Sequence, residues 1–163
     1  MAKLNPEISR HFLNEIKNQQ PEIIEIEGLR IKTCKDVFPP RSLLSSSSEK
    51  LHSVLGEVAG RRVLDIGTGT GIQAIHAAKS GAAEVVATDI NSAAVACARE
   101  NIVLNDVSDR VTVLSSDLFD SLEKGEQYDI VIANLPIVDY PLDGIVESAL
   151  YDPGYAIHER FFK

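Results

Sequence analysis

The sequence lacks any apolar run approaching the roughly 20 residues that cross a bilayer. Its opening residues, Met1-Ala2-Lys3-Leu4-Asn5-Pro6, carry no long hydrophobic stretch of the kind that directs secretion. The location expected from this is the cytoplasm, with no membrane partner. Only two cysteines occur, Cys34 and Cys97, far apart and without metal-ligand spacing. Cys97 falls on the apolar face of an expected helix and reads as a buried free thiol, and nothing near Cys34 marks a nucleophile. The four histidines are equally scattered, so no metal site is expected. An excess of cations is missing too: 16 Lys and Arg stand against 24 Asp and Glu, a formal charge of −8. That balance weighs against a surface built to grip phosphate backbones and suits a small-molecule or protein substrate.

What is present is the composition of an ordinary globular domain, 44% hydrophobic and 25% charged over 163 residues, enough for one domain with a real core. Asn5-Pro6 reads as a helix start running to about Asn18, with Ile8, Phe12, Leu13 and Ile16 on one face. Ile24–Ile26 and Leu29–Ile31 alternate around Glu27-Gly28 and read as a hairpin. Phe38-Pro39-Pro40 stops regular structure, and a helix is expected around Glu49–Val58. The expected division is a lead-in over residues 1–44 and a main domain over 45–163.

From Arg61 onward strands and helices alternate. Strands are expected at Val63–Ile66, Glu84–Thr88, Val111–Leu114 and Ile130–Ala133, with helices at Ile72–Ser80 and from Asn91 to about Asn105. This rhythm predicts an α/β fold with a doubly wound, mostly parallel sheet and helices on both faces. Ala156–Lys163 opens another helix with no strand after it. The chain is therefore expected to be shortened, with later strands missing and an open sheet edge that invites self-association.

The strongest local feature is Asp65-Ile66-Gly67-Thr68-Gly69-Thr70-Gly71 at the end of the first of these strands. Glycines there let the backbone turn tightly and approach a ligand closely. A dinucleotide site places its third glycine at the sixth position of the turn, which here is Ile72. Asp65, two residues before the first glycine, would repel a pyrophosphate but suit an ammonium group. A cationic, phosphate-free ligand fits better than NAD. About 20 residues beyond the turn, Asp89 ends the next strand, where a carboxylate accepts ribose hydroxyls.

These motifs resemble the class I S-adenosylmethionine-dependent methyltransferases, which have a Rossmann-like fold and whose first motif has this acid-plus-three-glycine form. The resemblance implies that Asp65, Gly67, Thr68, Gly69 and Gly71 border the amino-acid end of S-adenosyl-L-methionine. It places Asp89 and Ile90 at the ribose, Asp117 at the adenine amino group and Leu118 beside the ring. Asn134-Leu135-Pro136-Ile137 is similar to the loop of the amino-methyltransferases, which reads Asn or Asp, Pro, Pro, aromatic. There Asn134, the Leu135 carbonyl and Pro136 would orient an acceptor nitrogen, with Asn134 also touching the cofactor. The sequence departs from the pattern at Leu135 and at Ile137, which removes a flat stacking surface. Glu147-Ser148-Ala149-Leu150, Gly154 and Glu159-Arg160-Phe161 resemble the tail of the glutamine amide methyltransferases of release factors. The specific likeness covers about residues 60–163.

The leading expectation is N-methylation of an amide or exocyclic amine, with a protein glutamine, as in a release factor, the first acceptor and RNA, DNA or a small molecule the alternatives. A non-catalytic cofactor-binding module and a nicotinamide-dependent oxidoreductase are the competing classes. Calorimetric titration separates the last of these: saturable binding of S-adenosylmethionine with no heat from NAD is expected, and the reverse would overturn the class.

Overall fold

Two strands in the middle of the chain are buried on both faces, and they organise the sheet. The computed structural model describes residues 6–40 and 56–163, less the side chains of residues 6–9 and 12. β1 (Ile23–Ile26) and β2 (Leu29–Lys32) form a small hairpin ahead of the main sheet. In that sheet β3 (Arg62–Ile66) and β4 (Glu84–Asp89) are buried through Val63–Ile66 and Val85–Thr88, as strands covered on both sides must be. β5 (Val111–Ser115) and β6 (Ile130–Ala133) mix buried with exposed positions and take the edges. The order is β5-β4-β3-β6 and every pairing is parallel. The expected α/β architecture and all four strands are present. Among the described residues nothing pairs with the outer side of β6, where Val131 is exposed.

The crossover helices both lie on one face. α1 (Pro6–Asn18) precedes the hairpin, while α2 (Ile72–Lys79) and α3 (Ser92–Leu104) connect the strands. Ile75, Ala78, Ala98 and Ile102 share one core with Val63, Val85 and Val113. The opposite face, lined by Leu64, Ile66 and Val86, is covered by Leu118 and Leu122 of the β5–β6 connection. Ile157 and Phe161 of a short terminal helix, α4 (Ala156–Phe161), complete that cover. Helices thus reach both faces, but among the described residues the second carries only one short α-helix. No helix among the described residues is long and apolar enough to cross a membrane.

The hairpin of the lead-in is part of the same body. Glu27 and Gly28 form its turn with φ of 50° and 77°, the two-residue geometry that matches strand twist. Ile26, Leu29 and Ile31 then enter the main core. The free edge of β2 is satisfied by two carboxamides one turn apart, Asn101 in α3 and Asn105 at its C-cap. Asn101 accepts from the Lys32 N–H at 2.7 Å and donates to the Lys32 carbonyl at 2.9 Å. Asn105 does the same for Arg30 at 3.1 and 2.8 Å. Buried backbone groups without such partners cost about 1–3 kcal/mol each. Of α1, Ile16 is buried and Leu13 half-buried, while the expected roles of Asn5, Ile8 and Phe12 lie outside the described residues. So does most of the helix expected over Glu49–Val58, and the described end at 56–58 is not helical. The expected 44/45 boundary also falls outside.

One expectation is corrected. Cys34 and Cys97 are not free thiols: a disulfide joins them, with Cα atoms 6.1 Å apart. Docking of β2 onto α3 brings the pair together, which a separation of 63 residues conceals in the sequence. Unreduced, denatured protein should show no group reactive toward a chromogenic thiol reagent. Reduction should lower the urea midpoint, since a crosslink closing a loop of this length contributes up to about 4 kcal/mol. Two reactive thiols before reduction would show the pair to be an unbonded contact.

Candidate active site

The chain leaves β3 to place β4 on one side and later returns to lay β6 on the other, so the strand order reverses at β3. Loops after strands flanking such a reversal part to leave a crevice beyond the carboxyl ends. A cleft of about 650 Å³ occupies that position, within the range that holds a drug-sized ligand. Its walls include Asp65, Gly67, Thr68 and Gly69 after β3, Asp89 and Ile90 after β4, and Asp117 and Leu118 after β5. Asn134, Leu135 and Pro136 after β6 complete this group. Eleven of the twelve expected cofactor and acceptor residues therefore meet in one cavity.

Gly71 is the exception, and it does not line the cleft. It starts α2 with φ +82°, and a Cβ there would lie 3.1 Å from the Ala98 Cβ and 3.2 Å from its Cα. Its smallness lets α2 and α3 approach, so packing replaces the expected ligand contact. Gly67 and Gly69 behave differently: φ is +71° and +56°, and a Cβ on either would meet nothing within 4 Å. Their backbone faces open space. The turn is pinned from β4, where the Thr88 carbonyl accepts from Gly67 N at 2.9 Å and Thr68 N at 3.0 Å.

Two acids sit behind the turn in different surroundings. Asp65 is buried, with Oδ2 accepting from the Thr68 hydroxyl at 2.6 Å. Burial pushes its carboxyl up to about 7; the Thr68 hydrogen bond and the Ala74 N–H oppose this, and the Asp89 charge adds to it. Asp89 is also raised by burial, against hydrogen bonds from the backbone N–H groups of Asn91, Gly69 and Ile90. Its Oδ2 accepts from Gly69 N and its Oδ1 from Asn91 N, each at 2.9 Å. A carboxylate has about four acceptor sites, so with three backbone donors about one remains for a further donor from the cleft.

Beyond β5, Leu118 adopts φ +50°, a conformation that costs a branched side chain of order 1–3 kcal/mol. Its carbonyl accepts from Ser116 Oγ at 3.0 Å and from Thr88 Oγ1 at 3.4 Å, which holds the strained turn. Beyond β6, the Asn134 loop is tied to the tail: Asp152 N donates to the Val138 carbonyl and Gly154 N to Asp139 Oδ1, both at 2.8 Å. Glu147 is buried in a 3-10 turn (Ile145–Ala149) and accepts from Lys17 Nζ of α1 at 2.6 Å, which holds its carboxyl below the usual range.

Several cleft residues escape a reading by motif. Phe38, Pro39 and Pro40 line the cavity rather than merely ending the hairpin, as do Gln73, Ile157 and Arg160. The sequence signal for the first group was the rigid proline pair, and for Arg160 its place in the Glu159-Arg160-Phe161 segment of the tail. Nothing local marked Gln73 or Ile157. Among the described residues, no three metal-ligating side chains lie together.

The cleft combines a buried acid at the glycine turn, a carboxylate held by backbone N–H groups and an apolar wall at Leu118, groups of the kinds that could hold an adenosyl amino acid. These features and the comparisons below define the S-adenosylmethionine-dependent methyltransferases, with S-adenosyl-L-methionine the cofactor. More narrowly, the chain belongs to the ribosomal protein L11 methyltransferase (PrmA) family, whose sequence model matches residues 48–154. A protein of Methanocaldococcus jannaschii, provisionally named protein N5-glutamine methyltransferase, is 37% identical over 78% of this chain and 61% of its own length. The release factor glutamine methyltransferase of Rhodopirellula baltica is 35% identical over 70% of this chain and 40% of its own. The chain thus spans only part of the length of these relatives. The solved ribosomal protein L11 methylase of Lactobacillus delbrueckii subsp. bulgaricus is similar with a TM-score of 0.53 at 27% identity, over 71% of this chain and 67% of that one. The M. jannaschii tRNA m1G37 methyltransferase shares the fold with a TM-score of 0.60 at 24% identity, over 74% and 36%.

The raised carboxyl of Asp65 yields a prediction for stability and for ligand binding. An unfolded aspartate titrates near 3.9, so between about 4 and 7 the folded chain keeps a proton that the unfolded chain has lost. The free protein therefore loses stability as pH rises through that window and is level above it. A cationic ligand end beside Asp65 would draw the proton off. S-adenosylhomocysteine should bind more tightly as pH rises from 6 to 8, releasing about one proton at pH 6, and Asp65→Asn should remove both effects. Calorimetry in two buffers of unlike ionisation heat measures the release. Its absence would mean that Asp65 does not face the charged end.

Proposed function

We propose that this chain carries the cofactor and acceptor sites of an N-methyltransferase whose acceptor is a side-chain amide of a protein, a glutamine first. The observation that carries this reading is that Asn134-Leu135-Pro136, at the end of β6, opens into the same cleft as Asp65 and Asp89. An amide nitrogen is a poor nucleophile because its lone pair is delocalised. Two acceptors, the Asn134 side-chain oxygen and the Leu135 carbonyl, would take its two N–H bonds and turn the lone pair toward the methyl donor. Pro136 fixes the chain direction just beyond them, since its ring restricts φ. When bound, S-adenosylmethionine supplies an electrophilic methyl on a sulfonium. The protein's part is positioning and electrostatics, with no covalent enzyme intermediate.

In this reading Asp65, Gly67, Thr68 and Gly69 hold the methionyl end, Asp89 and Ile90 the ribose, and Asp117 and Leu118 the base. The cleft mouth favours a protein over a nucleic acid. Ile137, Leu142 and Ile145 line it and are exposed, with Tyr140 and the acids Asp139 and Asp143 exposed on the same segment. Two nearby cations are already paired, Lys17 with Glu147 and Arg160 with Asp117. The names of the relatives support two protein acceptors, a release factor glutamine and ribosomal protein L11.

Asn134→Ala should lower the rate of methyl transfer by about 10²- to 10³-fold, the scale of losing one preorganised polar contact in a transition state, with a smaller effect on S-adenosylhomocysteine binding. Asp89→Ala should instead weaken cofactor binding by at least tenfold, the cost of charge-assisted hydrogen bonds at roughly 1.5–3 kcal/mol each. Radiolabel transfer to a glutamine-bearing release factor loop and to ribosomal protein L11 separates the acceptors. Transfer to RNA alone would sink the protein reading.

A further inference from the structure

We propose that Arg160 is a positioning residue for the purine end of the cofactor, acting through Asp117 and sharpening selection of a 6-amino purine. The inference rests on the reading of Asp117 as the base-binding acid. Arg160 Nη1 donates to Asp117 Oδ2 at 3.0 Å across 43 residues of sequence, and both side chains line the cleft. They are 47% and 39% exposed, and ion pairs so placed contribute only about 0–1 kcal/mol to folding. Holding the fold together is therefore not what this pair is suited to. It occupies one oxygen of Asp117 and leaves Oδ1 to accept another donor.

Both ends of the pair are held by their surroundings. On one side, the strained turn at Leu118 is fixed through its carbonyl by Ser116 and Thr88. On the other, α4 is anchored by Asp152, which is fully buried. Its carboxylate accepts from Ile157 N at 2.8 Å and His158 N at 3.1 Å, and pairs with His158 Nδ1 at 2.6 Å. Phe161 stacks on Phe119 with ring centroids 5.6 Å apart, and Ile157 joins the cluster around Leu118. Arg160 is thus carried to Asp117 by a helix packed on Asp117's own segment. With Oδ2 engaged, rotation of the carboxylate is restricted, and Oδ1 is presented to the cleft as an acceptor. An acceptor there suits an exocyclic amino group and disfavours a 6-oxo group. Without Arg160 the acid would be free to turn, and the distinction would blur.

The test compares affinities for S-adenosylhomocysteine and S-inosylhomocysteine, measured by calorimetry on the wild type, Arg160→Gln, Arg160→Lys, Asp117→Ala and the Arg160→Gln/Asp117→Ala pair. Arg160→Gln should weaken the adenosyl ligand about fivefold to tenfold, the size of coupling expected between contacting residues, and leave the inosyl ligand within about twofold. Lysine should recover part of the loss, and Arg160→Gln should add nothing once Asp117 is gone. An equal loss for both ligands, tighter binding of either, or additive effects in the pair would overturn the proposal. If Asp117→Ala weakens the adenosyl ligand while Arg160→Gln does not, Arg160 alone is refuted. If Asp117→Ala itself changes nothing, the base-binding assignment falls and the role of Arg160 falls with it.

Discussion

The Asp89 carboxylate is the joint on which the rest of the cleft depends. By accepting from Gly69 N and Asn91 N, it fastens the turn after β3 and the start of α3 to the tip of β4. Asn91 extends the joint: its side chain caps α3 through Ala93 N at 3.0 Å and holds the Asp36 carbonyl of the lead-in at 2.8 Å. Three separate stretches of chain therefore meet at one acid. Backbone N–H groups stand in for the water that burial removes, so the charged form keeps partners in a half-buried place. The cost of placing an acid there is offset by the order it imposes.

The parts of this molecule that were legible in the sequence are those governed by local rules. Strand β3 is a buried run followed by a glycine turn, α3 begins at an asparagine cap, and the hairpin turns at Glu27-Gly28. In each case the signal and the structure lie within a few residues of one another. Gly71 shows the limit of this. The sequence reveals a glycine but not what a side chain there would strike, and the obstacle is Ala98 on another helix. The Cys34–Cys97 bond was invisible for the same reason, since it exists only once β2 lies on α3. Asn101 sits inside an apolar helix and Asn105 caps its end, and two carboxamides one turn apart there were a signal with no local meaning.

The two halves of the cleft also differ in how they are built. One half comes from consecutive strand ends, β3, β4 and β5, each contributing its motif in order. The other gathers residues far apart in the chain: Phe38 to Pro40, the loop after β6, and the segment around Ile145. The family match over residues 48–154 spans the whole first half but leaves Phe38 to Pro40 of the second outside it.

Asn101 and Asn105 use side chains to do for β2 what a neighbouring strand would do with its backbone. A strand partner is largely indifferent to sequence, because every residue offers the same N–H and carbonyl. A side-chain partner is not. The lead-in that brings Phe38 to the cleft is consequently keyed to two side chains at the end of α3, and one of them, Asn101, also donates to the Thr70 carbonyl of the glycine turn at 2.9 Å. A lead-in transplanted from another protein would seat here only through a backbone that meets those two carboxamides in register.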